Sequence, residues 1–322
     1  MNGSPVDFAT LRSGRTLGLL LQQHSKALQA ALNLNSSGAR IEVQCLLQTV
    51  LQVNRAYLLT HPEQLLAADQ HARYIALFER RLGGEPIAYL LASREFYGLN
   101  FKVTPATLIP RPETELLVEL ALQRIPSPPA GFAPLATLSP QAGEGGRQAG
   151  RGKKFRILDL GTGSGAIALS IAHARRNAEV VAVDASAAAL EVAQCNAKRL
   201  ALGNVRLLQS EWFSALHNER FDIIVSNPPY IAADDAHLSQ GDVRFEPRAA
   251  LVSGADGLED IRRITASAKE HLNDKGWLLL EHGYDQATQV RALMQQAGFT
   301  GIFSACDLAG IERGSGGIST PI

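Results

Sequence analysis

No stretch of this chain is both long and apolar enough to span a bilayer, which a helix needs about 20 residues to do. The N-terminus is polar and lacks a continuous apolar core, so no secretory signal is expected. Cysteine is scarce. Cys45, Cys195 and Cys306 lie too far apart for a disulfide or metal-ligand pattern and read as reduced thiols of a cytosolic protein, with no metal site. Neither sign of charge is in excess, with 31 basic and 31 acidic residues. A net charge of zero gives no global pull towards nucleic acid or an anionic membrane. No basic segment interleaved with aromatics is present, and no internal repeat.

What is present divides the chain. Its 322 residues leave room for about two domains, and an apolar fraction of 46% supplies a substantial core. Residues 1–90 read as a helical bundle. Leu17, Leu20, Leu21, Leu28 and Leu32 fall on one face, and Val43, Leu46, Leu47, Val50 and Leu51 on another. Tyr74, Leu77, Phe78 and Leu82 form a third stripe, which Gly83-Gly84 ends. These stripes carry no chemistry, and His24, His61 and His71 read as surface or helix-end residues. Residues 91–109 read as a linking hairpin around Gly98-Leu99-Asn100. The segment Pro110-Arg111-Pro112-Glu113-Thr114-Glu115 then starts a helix with an acidic first turn, and its prolines hold Arg111 on a stiff stretch. Residues 126–154, rich in Pro, Gly, Ser, Ala and Gln, read as a flexible insert.

From residue 155 strands alternate with helices. The predicted strands are 155–160, 179–184, 205–209, 221–226, 276–281 and 299–305. The predicted helices fall near 165–176, 186–201, 259–273 and 285–297. Such alternation predicts a doubly wound parallel α/β sheet over 110–322. The Gly-rich tail from Ala309 carries only a weak strand signal.

The chemistry concentrates where strands end, the place open α/β sheets give their ligands. The apolar run Phe221 to Val225 leads into Asn227-Pro228-Pro229-Tyr230. Two prolines cannot continue the ladder or start an ordinary helix, so they hold a rigid turn. The Asn227 side-chain oxygen and the Pro228 carbonyl can accept two N–H bonds, and Tyr230 can stack on a planar group that carries an NH2. A capping Asn in a Pro-rich loop is the plainer reading of the tripeptide alone. Upstream, Asp159-Leu160-Gly161-Thr162-Gly163-Ser164-Gly165 follows the first strand and opens a helix. Gly161, Gly163 and Ala166 also fit a dinucleotide loop. The acid ahead of the glycines, the extra Gly165 and the coupling to the Asn-Pro-Pro-Tyr turn favour S-adenosylmethionine, whose amino-acid end carries an ammonium. Asp184, at the end of the second strand, can accept from both ribose hydroxyls or cap the next helix, or do both. Glu211-Trp212, after the third strand, suits an adenine: Trp212 to stack on it and Glu211 to accept from its amino group; a lone Trp in the core is the alternative.

Together these residues resemble the HemK/PrmC family, the protein-(glutamine-N5) methyltransferases of peptide chain release factors. The matching pieces are Phe96-Tyr97-Gly98-Leu99, Pro110 to Glu115, Asp159 to Gly165, Trp212-Phe213, Asn227 to Tyr230, and Gly241-Asp242-Val243-Arg244-Phe245-Glu246-Pro247. They cover most of residues 90–285, and the helical start fits the family's N-terminal domain. Asn-Pro-Pro-Tyr alone is shared with methyltransferases of nucleic-acid amines; the Arg-Pro-Glu-Thr and Arg-Phe-Glu-Pro segments make the match specific.

The resemblance implies a class I, Rossmann-like methyltransferase domain behind a small helical domain. That helical domain, with core stripes and no chemistry, is the candidate for docking the release factor. The resemblance also implies that Gly161 to Gly165 contact the methionine part of the cofactor, that Asp184 holds the ribose and that Trp212 lies on the adenine. Asn227, Pro228, Pro229 and Tyr230 would hold the substrate glutamine of a Gly-Gly-Gln loop, with S-adenosyl-L-homocysteine as the product. The family commonly has Asp where Glu211 stands, and its members join the Arg-Pro-Glu-Thr helix to the first strand more briefly than residues 126–154 do. The rival expectations are an exocyclic-amine methyltransferase of DNA or RNA and a cofactor-binding scaffold without activity. A cytoplasmic enzyme without stable nucleic-acid or membrane binding is expected.

Overall fold

A computed structural model of the chain describes residues 16–126 and 154–320. The predicted insert falls, at residues 127–153, outside the described residues. The chain forms two compact units. One takes the chain up to Arg94 together with 103–105 and 235–246; the other takes 95–102, 106–234 and 247 onwards.

The first unit is helical, with α1 (Leu17–Leu32), α2 (Ser36–Leu51), α3 (Arg55–Thr60), α4 (Ala68–Leu82) and α5 (Ile87–Leu91). Short polar residues start two of these helices. Asn35 caps α2 by accepting from the Gly38 N–H at 2.6 Å, and Asn54 caps α3 by accepting from the Tyr57 N–H at 2.9 Å. The predicted stripes meet in one core, with Leu17, Leu20, Leu28, Val43, Leu46, Leu47, Tyr74 and Phe78 buried. One expectation fails here. His24 and His71 are buried, and only His61 is exposed at a helix end. His24 stacks on Phe78 with ring centroids 4.0 Å apart, and its Nδ1 lies 2.7 Å from the Tyr74 hydroxyl. An imidazole with a hydrogen-bond partner fits a core that its sequence spacing did not announce.

The segment 235–246 packs on this helical unit although it follows the Asn-Pro-Pro-Tyr turn in sequence. Its anchor is Arg81, only 3% exposed. The guanidinium pairs with Glu42 at 2.7 Å and Asp242 at 3.0 Å and donates to the Gly84 and Glu85 carbonyls. A buried cation is tolerated because every side of the fork is met.

The second unit is a seven-stranded sheet in the order β5-β4-β3-β6-β7-β9-β8. Its strands are β3 (Arg156–Leu160), β4 (Glu179–Asp184), β5 (Val205–Gln209), β6 (Phe221–Ser226), β7 (Leu272–Glu281), β8 (Phe299–Cys306) and β9 (Glu312–Ser319). The hairpin strands β1 (Ser93–Phe96) and β2 (Leu99–Lys102) precede it, turning at Tyr97 and Gly98 with φ of 51° and 72°. Helices α6 (Glu115–Arg124), α7 (Ala166–Ala174), α8 (Ala187–Arg199), α9 (Glu259–Ala268) and α10 (Ala287–Gln296) cover it. The central strands are apolar on both faces, as buried parallel strands must be. Strands β5, β4, β3, β6 and β7 run parallel, and the register sets Leu160 opposite both Val183 and Ser226, so their carboxyl ends line one edge.

The tail after Ala309 is a full strand, β9, inserted antiparallel between β7 and β8. Its glycines are there for space. A Cβ at Gly316 would stand 2.6 Å from the Phe303 ring and 2.7 Å from Leu279. The large side chains that usually announce a strand are excluded by the neighbours they would meet.

Candidate active site

At the end of β3 the chain passes through three left-handed glycines, Gly161, Gly163 and Gly165, with φ of 69°, 57° and 85°. This folds the backbone sharply before α7. Asp159, 1% exposed, anchors the turn. Its Oδ2 accepts from Thr162 Oγ1 at 2.7 Å and the Ala168 N–H at 3.2 Å, while its Oδ1 has no partner. Burial raises the Asp159 carboxyl to about 7, against the pull of those two donors. Asp184 ends β4 and reaches the same loop. Its Oδ2 accepts from the Gly163 N–H at 2.8 Å and its Oδ1 from the Ser186 N–H at 2.8 Å. Burial also raises the Asp184 carboxyl. Gly165 precedes α7, where a Cβ would press on Leu169 and Ala193.

Two further residues complete this end of the site. The Trp212 ring lies 3.6 Å from where a Cβ would stand at Gly161. Asn196, fully buried on α8, donates from Nδ2 to the Ser164 carbonyl at 2.9 Å and to the Lys102 carbonyl at 3.0 Å. It thereby ties the glycine loop to β2. Glu211 stands apart: its side chain is 66% exposed and lies 3.3 Å from Arg263.

The turn after β6 is assembled differently. Pro228 is buried, and Asn227, Pro229 and Tyr230 are half-buried. Asn227 Nδ2 donates to Thr114 Oγ1 at 3.1 Å. The Tyr230 hydroxyl donates to Glu281 Oε1 at 3.3 Å. Glu281, the last residue of β7, is 2% exposed. Burial lifts its carboxyl to about 7, against the pull of the nearby Thr114 and Tyr230 hydroxyls and the charge of Arg313, with Glu113 adding to the rise; its Oε2 has no hydrogen-bond partner. Behind the turn, Gln286 Nε2 donates to the Tyr230 carbonyl at 3.0 Å, and its Oε1 accepts from the Gly283 N–H at 2.8 Å. Gly257, with φ of 73°, lies where any Cβ would strike that same carbonyl at 2.3 Å. The turn is thus pinned at both its side chains and its backbone.

The predicted residues therefore gather along one sheet edge in two groups, with Asp159 to Gly165, Asp184 and Trp212 in the first and Asn227 to Tyr230 in the second. Thr114, Glu281, Asn196 and Gln286 were not singled out by sequence reasoning. Glu281 had a visible signal, because a carboxylate directly after Leu278-Leu279-Leu280 repeats the pattern of Asp184 after its strand. Thr114 read only as part of a helix start. Among the described residues no cluster suits a metal ion, and no helix is long and apolar enough to cross a membrane.

Known proteins resemble this chain over most of its length. Residues 20–91 match the PrmC N-terminal domain, and residues 148–245 match the methyltransferase small domain. A release factor glutamine methyltransferase of Burkholderia pseudomallei is 49% identical over 86% of this chain and 91% of its own length. Those of Salmonella typhimurium and Pseudomonas aeruginosa are 45% and 47% identical, over 89% and 87% of this chain and 95% and 92% of theirs. With identities of this size over most of its length, the chain belongs to the release factor glutamine methyltransferase family.

Proposed function

We propose that this chain transfers a methyl group from S-adenosylmethionine to the side-chain amide nitrogen of the glutamine in the Gly-Gly-Gln loop of peptide chain release factors, and so modulates translation termination. The observation that carries this reading is a pair of unspent acceptors. Asn227 Oδ1 and the Pro228 carbonyl take no hydrogen bond from the described residues, while the other end of the Asn227 amide is held by Thr114. Two acceptors match the two N–H groups of a primary carboxamide.

The first group of residues fits the cofactor. Asp159 Oδ1, buried and without a partner, suits its ammonium. Asp184 suits the ribose hydroxyls, Trp212 the adenine face, and the backbone of Gly161, Thr162, Gly163, Ser164 and Gly165 the methionine part. Asn227 stands where both ligands meet. S-adenosylmethionine, when bound, supplies a methyl group made electrophilic by its sulfonium.

The second group handles the amide. A carboxamide nitrogen is a poor nucleophile because its lone pair is delocalised into the carbonyl. Asn227 Oδ1 and the Pro228 carbonyl, by accepting both N–H bonds, concentrate electron density on that nitrogen and fix the direction of its lone pair. Tyr230, its hydroxyl held by Glu281, walls the amide plane. Positioning and fixed dipoles supply most of the acceleration. The nitrogen becomes acidic as its new bond forms, so its proton leaves through an acceptor or water and no strong base is needed beforehand.

The helical unit, with core stripes and no chemistry of its own, docks the release factor. Deleting residues 1–88 is expected to abolish methylation of intact release factor while leaving cofactor binding in place; full activity of the truncated enzyme would end that assignment. Translation takes place in the cytoplasm, and so does this reaction. The neutral net charge supports a protein partner without stable nucleic-acid binding.

The deciding experiment offers purified release factor, ribosomal RNA and duplex DNA in parallel with labelled S-adenosylmethionine, then examines the Gly-Gly-Gln peptide by mass spectrometry. One added methyl on that glutamine and none on nucleic acid is the expected result. Label on RNA or DNA alone would overturn the reading.

A further inference from the structure

Trp212 stands in a backbone conformation that suits it poorly. Its φ is 49°, in the left-handed region, where a bulky side chain crowds the following carbonyl. Asn33, Gln52 and Ala92 are left-handed too, but each closes a helix, which that turn serves to end. Trp212 closes no helix. Such a conformation persists only where the surroundings hold it, and it collects at functional sites. We infer that the Ser210 hydroxyl holds Trp212 in this conformation and that Ser210 is a positioning residue for the adenine of the cofactor. This rests on the reading of Trp212 as the wall of the adenine face.

The Ser210 hydroxyl is fully used. It donates to the Trp212 carbonyl at 2.8 Å and accepts from the Ala215 N–H at 3.0 Å. Ser214 Oγ lies 3.3 Å away. A hydroxyl has one proton and two lone pairs. With that proton given to the Trp212 carbonyl, Ser214 can only donate to Ser210. Trp212, Ser214 and Ala215 thus converge on a single oxygen. Ser210 is 5% exposed, so little water is at hand to replace its proton.

Fixing the Trp212 carbonyl sets ψ there, the partner of the strained φ. It thereby sets the direction in which the indole leaves the chain. The ring lies against the glycine loop, with Cζ3 3.6 Å from where a Cβ would stand at Gly161. The Ser210 N–H meanwhile donates to the Asp184 carbonyl at 3.0 Å. Ser210 is therefore tied by its backbone to the residue that suits the ribose and by its side chain to the one that suits the adenine. Ribose and adenine are covalently joined, so their two partners must be correctly spaced, and Ser210 sets that spacing.

The test uses the full chain, with S-adenosylhomocysteine binding measured by calorimetry. Ser210→Ala removes the hydroxyl and leaves the N–H bond to Asp184. It is expected to weaken binding about tenfold, the effect of one hydrogen bond lost from a buried site. KM for S-adenosylmethionine should rise alike, with kcat changed less than about threefold. Ser210→Cys, close in shape but a weak donor, is expected to fall with it. Ser214→Ala, which leaves the bond to Trp212 intact, is expected to stay within about twofold. Trp212 and Trp277 are the two tryptophans of the chain. In a Trp277→Phe background, the tryptophan anisotropy decay of the ligand-free protein is expected to gain a nanosecond component on Ser210→Ala, the mark of an indole no longer held. In a Trp212→Ala background, Ser210→Ala is expected to cost less than about twofold in affinity, whereas general damage to the site would persist there.

Binding within about twofold of the parent by Ser210→Ala or Ser210→Cys would overturn the proposal, as would an unchanged anisotropy decay or an equal loss in the Trp212→Ala background. If Trp212→Ala itself binds S-adenosylhomocysteine as the parent does, the adenine reading of Trp212 fails first. If Trp212→Ala binds weakly while Ser210→Ala does not, only the positioning role of Ser210 falls.

Discussion

The two ends of the site are built by opposite means. The glycine loop is a backbone device: three left-handed glycines, an anchoring Asp159 three residues from Thr162, and one main-chain N–H given to Asp184. The Asn-Pro-Pro-Tyr turn is a side-chain device, with Asn227 held by a residue 113 positions away and Tyr230 by one 51 positions away. A backbone cradle depends on the left-handed turns that its glycines allow and needs few outside partners. A side-chain cage is sensitive to the identity of single distant atoms.

The sharpest way to probe this contrast is the cage. Asn227→Ala removes one oriented acceptor while leaving the glycine loop untouched. The expected result is a loss of about a hundredfold or more in kcat, the size of one lost transition-state contact, with S-adenosylhomocysteine affinity unchanged by calorimetry. A parallel loss of cofactor affinity would show that the two ends are not separable.

In the cradle, strain and crowding can be told apart. Gly163 has φ of 57° and open space where a Cβ would go. Gly163→Ala then carries only the left-handed backbone term, about 1 kcal/mol. Gly165, with φ of 85°, has Leu169 Cδ1 at 2.8 Å and Ala193 Cβ at 3.3 Å from that position. Gly165→Ala adds overpacking against buried α7 and α8 and is expected to cost about 2–3 kcal/mol. Chemical denaturation of the two variants checks the order; equal losses would mean that α7 shifts freely to make room.

Asp159 gives the cradle a pH dependence, as buried Glu281, also raised to about 7, gives one to the cage. Burial holds the Asp159 carboxyl at about 7, with Asp184 the one charged group that adds to the rise and Thr162 and the Ala168 N–H opposing it. The sign follows directly. Pairing with an ammonium needs the carboxylate, so below about pH 7 binding must first expel a proton. Cofactor affinity is expected to weaken by about tenfold for each pH unit below 7, with proton release on binding near pH 6 seen by calorimetry in buffers of different ionisation enthalpy. In the free protein the same raised value favours the protonated form, so its contribution to stability declines as pH rises from the ordinary carboxylate range to about 7. Asp159→Asn should flatten both trends.

The same contrast explains what was legible in the sequence. The glycine loop, the strand ends and most core stripes are local patterns, and their residues stand where the spacing put them. The partners of the cage are not local: nothing near Thr114 in sequence indicates that its hydroxyl meets Asn227. Strand β9 was hidden by glycines whose reason, the Phe303 ring and Leu279, lies on other strands. His24 read as a surface residue because a polar side chain in a helix normally points outwards, and the Tyr74 hydroxyl and the Phe78 ring that receive it lie about fifty residues away in sequence.

Glu211 is where the two kinds of construction can be separated with the smallest effect. Position beside Trp212 made it a candidate for the adenine amino group. Its carboxylate is instead mostly exposed and within 3.3 Å of Arg263, itself 54% exposed. An exposed pair of this kind is screened and is worth about 0.5 kcal/mol or less. Glu211→Gln is accordingly expected to change S-adenosylhomocysteine affinity by less than about twofold. Trp212→Ala, which removes the ring beside Gly161, should cost far more. A tenfold loss from Glu211→Gln would mean that the side chain leaves Arg263 to meet the bound adenine, and the cradle would then depend on a side-chain contact as the cage does.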